Sequence, residues 1–135
     1  MRIVEIVRVD SRGRITMTSS LRETLGIAEG MHVMLIGDLD KREIRIVPFA
    51  DPEAQLYEFQ ITLTDKPGTL AKAAAVLANH NIDLLTSQSR TLRRGKSAEW
   101  IVVADVSKCE IDLDKLVKKI VGSGAAVEVT YKKFV

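Results

Sequence analysis

The chain has 135 residues, 46% of them apolar and 28% charged, with a formal net charge of +2. That mix argues against disorder, and so mild a positive balance permits a nucleic-acid partner without demanding one. No apolar run approaches the ~20 residues of a membrane span and no long apolar leader core is present, so a cytoplasmic, non-membrane protein is expected; a single cysteine, Cys109, excludes an intramolecular disulfide.

In chain order, Ile3 to Val9 reads as a strand of β-branched residues, Asp10-Ser11-Arg12-Gly13 as a turn, and Arg14 to Met17 as a second strand. Ser20 and Glu23 have capping-box spacing, which predicts a short helix stopped by Gly26. Gly30 to Ile36 and Glu43 to Val47 are two further strands around the polar turn Asp38 to Arg42. A unit of this size buries too little surface to be secure alone, so completion by another chain is expected.

Phe49 to Gln55, with Pro48 and Pro52, breaks the pattern and marks a linker between domains at 1–50 and 54–135. Beyond it Tyr57, Phe59, Ile61 and Leu63 alternate with polar residues, as in a half-buried strand. Thr64 to Gly68 is a turn. Leu70, Ala73, Ala74, Leu77 and Ala78 then recur at helical spacing up to Asn79-His80-Asn81. Ile82 to Arg90 and Glu99 to Val106 are strands around a turn at Arg93 to Lys96. Leu113 to Val121 is an amphipathic helix stopped by Gly122, and Val127, Val129 and Tyr131 point inward from a last strand. The order βαββαβ is the ferredoxin-like α+β motif.

In the first half, Val9 to Thr16, Leu21 to Ile27, Gly30 and the hairpin to Pro48 together resemble the AbrB/SpoVT/MazE swapped-hairpin family, over roughly residues 3–48. The resemblance implies a β-rich dimeric barrel of two interleaved protomers that binds double-stranded DNA. It carries DNA contact onto Arg14 and Arg22 most directly, then onto Arg8 and Arg12. The residue chemistry agrees. These arginines gather around one turn and one helix start, a two-fold dimer doubles them, and guanidinium groups suit phosphates and guanine edges through their fixed fork of donors.

In the second half, Ile61 to Ala71 with its Asp65-Lys66-Pro67-Gly68-Thr69-Leu70 core, followed by Ala78 to Asp83, resembles the ACT domain family over about residues 56–133. The resemblance implies side-by-side pairing and an amino-acid ligand at the interface. By its own chemistry Pro67 suits a first helical position, and Gly68 lets a ligand approach the backbone. The N–H groups of Gly68, Thr69 and Leu70 suit a carboxylate, and Asp65 an ammonium. Asn81 is expected to supply amide contacts from a neighbouring protomer.

His32 and His80 fall in separate halves, Trp100, Met17, Met31 and Met34 read as core or interface, and no cluster has zinc spacing. No nucleophile beside a base and no phosphate loop is recognisable, so neither an enzyme nor a cofactor is expected. The overall expectation is a homo-oligomeric transcriptional regulator with an amino-acid effector. The alternatives are a non-catalytic assembly subunit of an amino-acid metabolic enzyme and an antitoxin-like protein.

Overall fold

The computed structural model describes residues 1–134, and the chain divides into two units, Met1–Pro52 and Glu53–Val135. In the first unit, α1 (Ser19–Leu25) starts at Thr18, whose hydroxyl accepts from the Leu21 N–H at 3.4 Å and donates to the Glu5 carboxylate. The expected box of Ser20 and Glu23 does not form. Ser20 lies inside the helix, and its carbonyl accepts from the Thr24 hydroxyl at 2.8 Å. Gly26 closes the helix at φ 71°, and the Ile27 N–H returns to the Arg22 carbonyl at 2.8 Å. Only a residue without Cβ adopts that left-handed backbone cheaply.

Strands β1 (His32–Asp38) and β2 (Glu43–Ala50) form an antiparallel ladder, with Leu35 opposite Ile46. The Asp38 carboxylate holds their turn by accepting from the N–H groups of Asp40 and Lys41. Phe49 and Ala50 belong to β2 and not to the linker expected there. The register shifts beside Pro48, which accommodates its missing donor.

Ile3–Val9 and Arg14–Met17, expected as strands, are not strands in the single chain, and the expected barrel is therefore absent from it: β1 and β2 make the whole sheet of this unit. The Asp10 N–H bonds the Arg14 carbonyl at 2.9 Å, but no main-chain hydrogen bond joins residues 3–9 to another described residue. A β-rich segment becomes a strand only when a neighbour accepts and donates along it, and one protomer supplies none. Val4 is 84% exposed and Ile6 98%.

The second unit is the βαββαβ fold: β3 (Leu56–Thr64), α2 (Thr69–Asn79), β4 (Asp83–Arg93), β5 (Ser97–Asp105), α3 (Leu113–Gly122) and β6 (Ala126–Lys133). The sheet order is β4-β5-β3-β6, with every neighbour antiparallel. Phe59, Ile61 and Leu63 of β3 and Trp100, Val102 and Ala104 of β5 cluster with Ala73 and Leu77 of α2 and Leu116 and Ile120 of α3. Trp100 is buried because its indole N–H is satisfied, at 2.7 Å, by the Ser87 hydroxyl on β4.

Strands β4 and β5 run closer to their shared turn than the expected 82–90 and 99–106, and two further details depart from expectation. Gly122 is the last residue of α3 and does not stop it; Ser123 caps the helix and Gly124 takes the positive φ. Val127, expected to point inward, lies at a bulge between Glu128 and Ala126 and is 66% exposed, so Ala126 fills the core position.

Leu77→Ala should therefore cost about 2–5 kcal/mol of stability in urea unfolding of the full chain. Val127→Ala should stay within about 0.5 kcal/mol. Equal losses would contradict this division between core and bulge.

Candidate functional site

The β3–α2 connection and the inner face of β4 and β5 leave a cleft of about 410 Å³ at the start of α2. Leu63 to Lys66 and Gly68 to Leu70 line one side, and Ser89 to Thr91 with Ala98 line the other. Gly68 is the helix N-cap at φ 88°, so the helix begins at Thr69, and Pro67 lies before the cap instead of at the first helical position expected of it. The position of the cap decides which donors stay open. The Thr69 N–H turns toward the Lys66 carbonyl at 3.4 Å, whereas those of Gly68 and Leu70 have no acceptor among the described residues. Open N–H groups at a helix start suit an anionic oxygen.

Asp65 is already engaged. Its carboxylate accepts from the Gly95 N–H at 2.6 Å, and its own N–H donates to the Lys96 carbonyl at 3.2 Å. This ties the loop before α2 to the β4–β5 turn. The Thr69 hydroxyl braces the same loop by donating to the carbonyls of Thr64 and Lys66. Four of the six expected ligand residues thus line the cleft: Asp65, Gly68, Thr69 and Leu70. Pro67 is exposed outside the lining, and Asn81 sits beyond the far end of α2 at φ 58°, so one protomer does not bring it to the cleft.

Arg8, Arg12, Arg14 and Arg22 are all exposed. Arg14 donates through Nε to the Asp10 carboxylate at 2.7 Å. The other Asp10 oxygen accepts from the N–H groups of Arg12 and Arg14 at 2.8 and 2.9 Å. Arg22 donates through Nε to the Met17 carbonyl at 3.1 Å. The side chains of Arg8 and Arg12 make no hydrogen bond or ion pair to another described residue.

Residues 57–122 match the sequence profile of the ACT domain family. This segment is similar to ACT domains. The match covers neither the N-terminal unit nor β6. No curated protein matches the chain at a significant level. Among solved structures, the chain is similar to the C-terminal domain of the MgtC protein from Mycobacterium tuberculosis, at 14% identity and a TM-score of 0.49, over 62% of this chain and 92% of that one. It is also similar to the ACT domain of GTP pyrophosphokinase from Chlorobium tepidum, at 14% identity and a TM-score of 0.47, over 58% of this chain and 99% of that one. A third is a formyltetrahydrofolate deformylase from Pseudomonas syringae pv. tomato, at 17% identity and a TM-score of 0.48, over 58% of this chain and 28% of that one.

Within this segment sequence reasoning missed the cleft residues Leu63, Thr64, Lys66, Arg90 and Ala98, and also Ser89 and Thr91. The signal for the last two was present: Ser87, Ser89 and Thr91 alternate along β4, and Ser89 pairs with Trp100, whose side chain faces the core. Hydroxyls in that alternation mark an inward face left without an apolar cover. No cluster of three or more His, Cys, Asp or Glu with metal-holding geometry occurs among the described residues, and no helix among them is long and apolar enough to cross a membrane.

The Asp10 turn responds to pH. The Arg14 backbone N–H, followed by the Arg14 guanidinium, holds the Asp10 carboxyl below its ordinary value of 3.8. A depressed folded value means that the turn's contribution is present above the unfolded value and is lost as pH falls through the folded one. The Arg14 Nε–H resonance should therefore stay shifted down to pH 3.8 and collapse only below it. Collapse at a higher pH would show that the pair is not formed in solution.

Proposed function

We propose that the protein is a homo-oligomeric DNA-binding regulator whose ACT domain binds an amino acid. The ligand-sensing part is carried by the cleft at the start of α2, where open N–H groups of Gly68 and Leu70, the hydroxyls of Ser89 and Thr91 and the apolar Leu63 and Ala98 meet. A small carboxylate with a short side chain matches that combination. ACT domains commonly regulate in response to small molecules, amino acids among them, which is the second support for this part.

Assembly is supported by the first unit. Residues 3–9 have main-chain groups without partners among the described residues, and Val4, Ile6, Leu35 and Ile44 are exposed. A second copy laid along them supplies both the missing hydrogen bonds and an apolar cover. The side chains of Ile3, Val7, Ile15, Met17, Leu21 and Ile46 already line one hollow of about 180 Å³ on this unit. DNA binding is supported by the exposed guanidinium groups of Arg8, Arg12, Arg14 and Arg22, which two-fold pairing doubles. A ligand acts on such an assembly only by binding one arrangement better than another.

Melting the full chain with each common amino acid tests the sensing part. One or a few should stabilise, by about 2.7 kcal/mol at a hundred times the dissociation constant. Gly68→Ala should cost about 1–2 kcal/mol through its left-handed backbone and weaken the response, because a strained cap shifts the open N–H groups of Gly68 and Leu70. A flat response to every amino acid sinks the sensing role. Gel retardation on a random duplex tests the DNA role: Arg14→Ala with Arg22→Ala should weaken binding and reduce its salt slope by about 0.9 for each phosphate no longer neutralised. Equal binding by the double variant sinks that interface.

A further inference from the structure

We infer that Asp10 is a positioning residue that orients Arg14 for reading guanine in the DNA major groove. The inference rests on the DNA-binding reading proposed above and deepens it, by separating the arginine that reads bases from those that hold phosphates.

The four exposed arginines differ in how they are held. Arg8 and Arg12 have no side-chain partner among the described residues, and Arg22 is tied to a neutral carbonyl. Arg14 alone of the four is paired with a carboxylate, and it pairs through Nε. An arginine has five N–H donors. Using the one on Nε leaves the four on the two terminal nitrogens open, and that end of the fork can meet guanine O6 and N7 together. The side chain remains 67% exposed, so the bond to Asp10 restrains the guanidinium without hiding it. Asp10 is itself restrained. One of its oxygens accepts from the N–H groups of Arg12 and Arg14 while the other faces Nε, so the carboxylate cannot swing away without opening the turn.

Charge points the same way. A carboxylate beside four arginines lowers attraction to phosphates, so as an affinity device it is counterproductive. As an orientation device it is consistent, because a phosphate contact tolerates a mobile guanidinium and a bidentate base contact does not. Exposed ion pairs contribute little to stability, so stability alone gives the pair little reason to exist.

Asp10→Asn separates the two roles. Its amide oxygen still accepts from the N–H groups of Arg12 and Arg14, while its NH2 offers Nε no acceptor. The full-length chain is used to select duplexes from a random pool, and affinities for the selected duplexes and for the unselected pool are then compared, with melting curves as the check on folding. The original protein should enrich a motif containing guanine. Asp10→Asn should bind the unselected pool at least as tightly, since a negative charge is gone, while its preference for the selected duplexes falls about 10-fold or more. Arg14→Lys, which keeps the charge and loses the fork, should lose the same preference, and the double variant should lose no more than Arg14→Lys alone. Undiminished preference in Asp10→Asn, or additive losses in the double variant, overturns the inference and leaves DNA binding standing. Binding by the original protein without any enriched guanine overturns it likewise. No binding to any duplex overturns the DNA reading and the inference with it.

Discussion

The burial of one row of side chains along β3 sets the geometry of everything in the second unit. Phe59 and Ile61 are fully buried and Leu63 nearly so, on a strand paired on both edges. Because β3 is central, its inward row receives α2 and α3 together. The chain leaves this strand at Thr64 and must turn back over the sheet within a few residues to start α2. That turn, with Gly68 at positive φ, aims the open end of α2 across β5 toward β4. The cleft is therefore a consequence of the core: a helix that packs on β3 cannot also cover the inner face of β4, so Ser89 and Thr91 stay uncovered beside it.

The first unit presents the opposite situation. It has apolar and β-branched residues in quantity but no buried hydrophobic side chain of its own, and α1 buries none. Its local signals are nonetheless well formed. Thr18 caps α1, Gly26 closes it, Asp38 shapes one turn and Asp10 another. Its turns and helix ends are held by local hydrogen bonds while its apolar side chains stay uncovered, so little hydrophobic burial holds this unit.

The two units place charge differently. In the cleft the acidic group serves the fold: Asp65 accepts from the Gly95 N–H. The carboxylate thus acts first to hold the basic β4–β5 turn against the cleft wall, and Arg93, Arg94 and Lys96 are carried with it. On the first unit the acidic group, Asp10, is likewise committed to a turn, yet there it engages an arginine that stays exposed.

Much of this was legible in the amino-acid order because it depends on short-range physics. Alternation at 57–63, helical spacing at 70–78 and the glycines at 26, 68 and 95 report backbone preference and one-sided burial, and both are local properties. The ACT motif around Asp65 to Leu70 was legible for the same reason, since a turn and a helix start lie within six residues of each other. Where exposure is decided by a bulge or by a missing partner, local pattern misleads. Val127 reads as inward and is not, because an irregular register displaces it. Residues 3–9 read as a strand and are not one in a single chain, because strand pairing is completed by distant or separate groups. Ser89 and Thr91 became cleft residues, and Asp65 a clasp for Gly95, only when β4 was laid beside β5 and α2 above β3. Residues far apart in the chain acquire a shared role only through packing; the alternation of hydroxyls along β4 marks a face without apolar cover and does not say what lies opposite it.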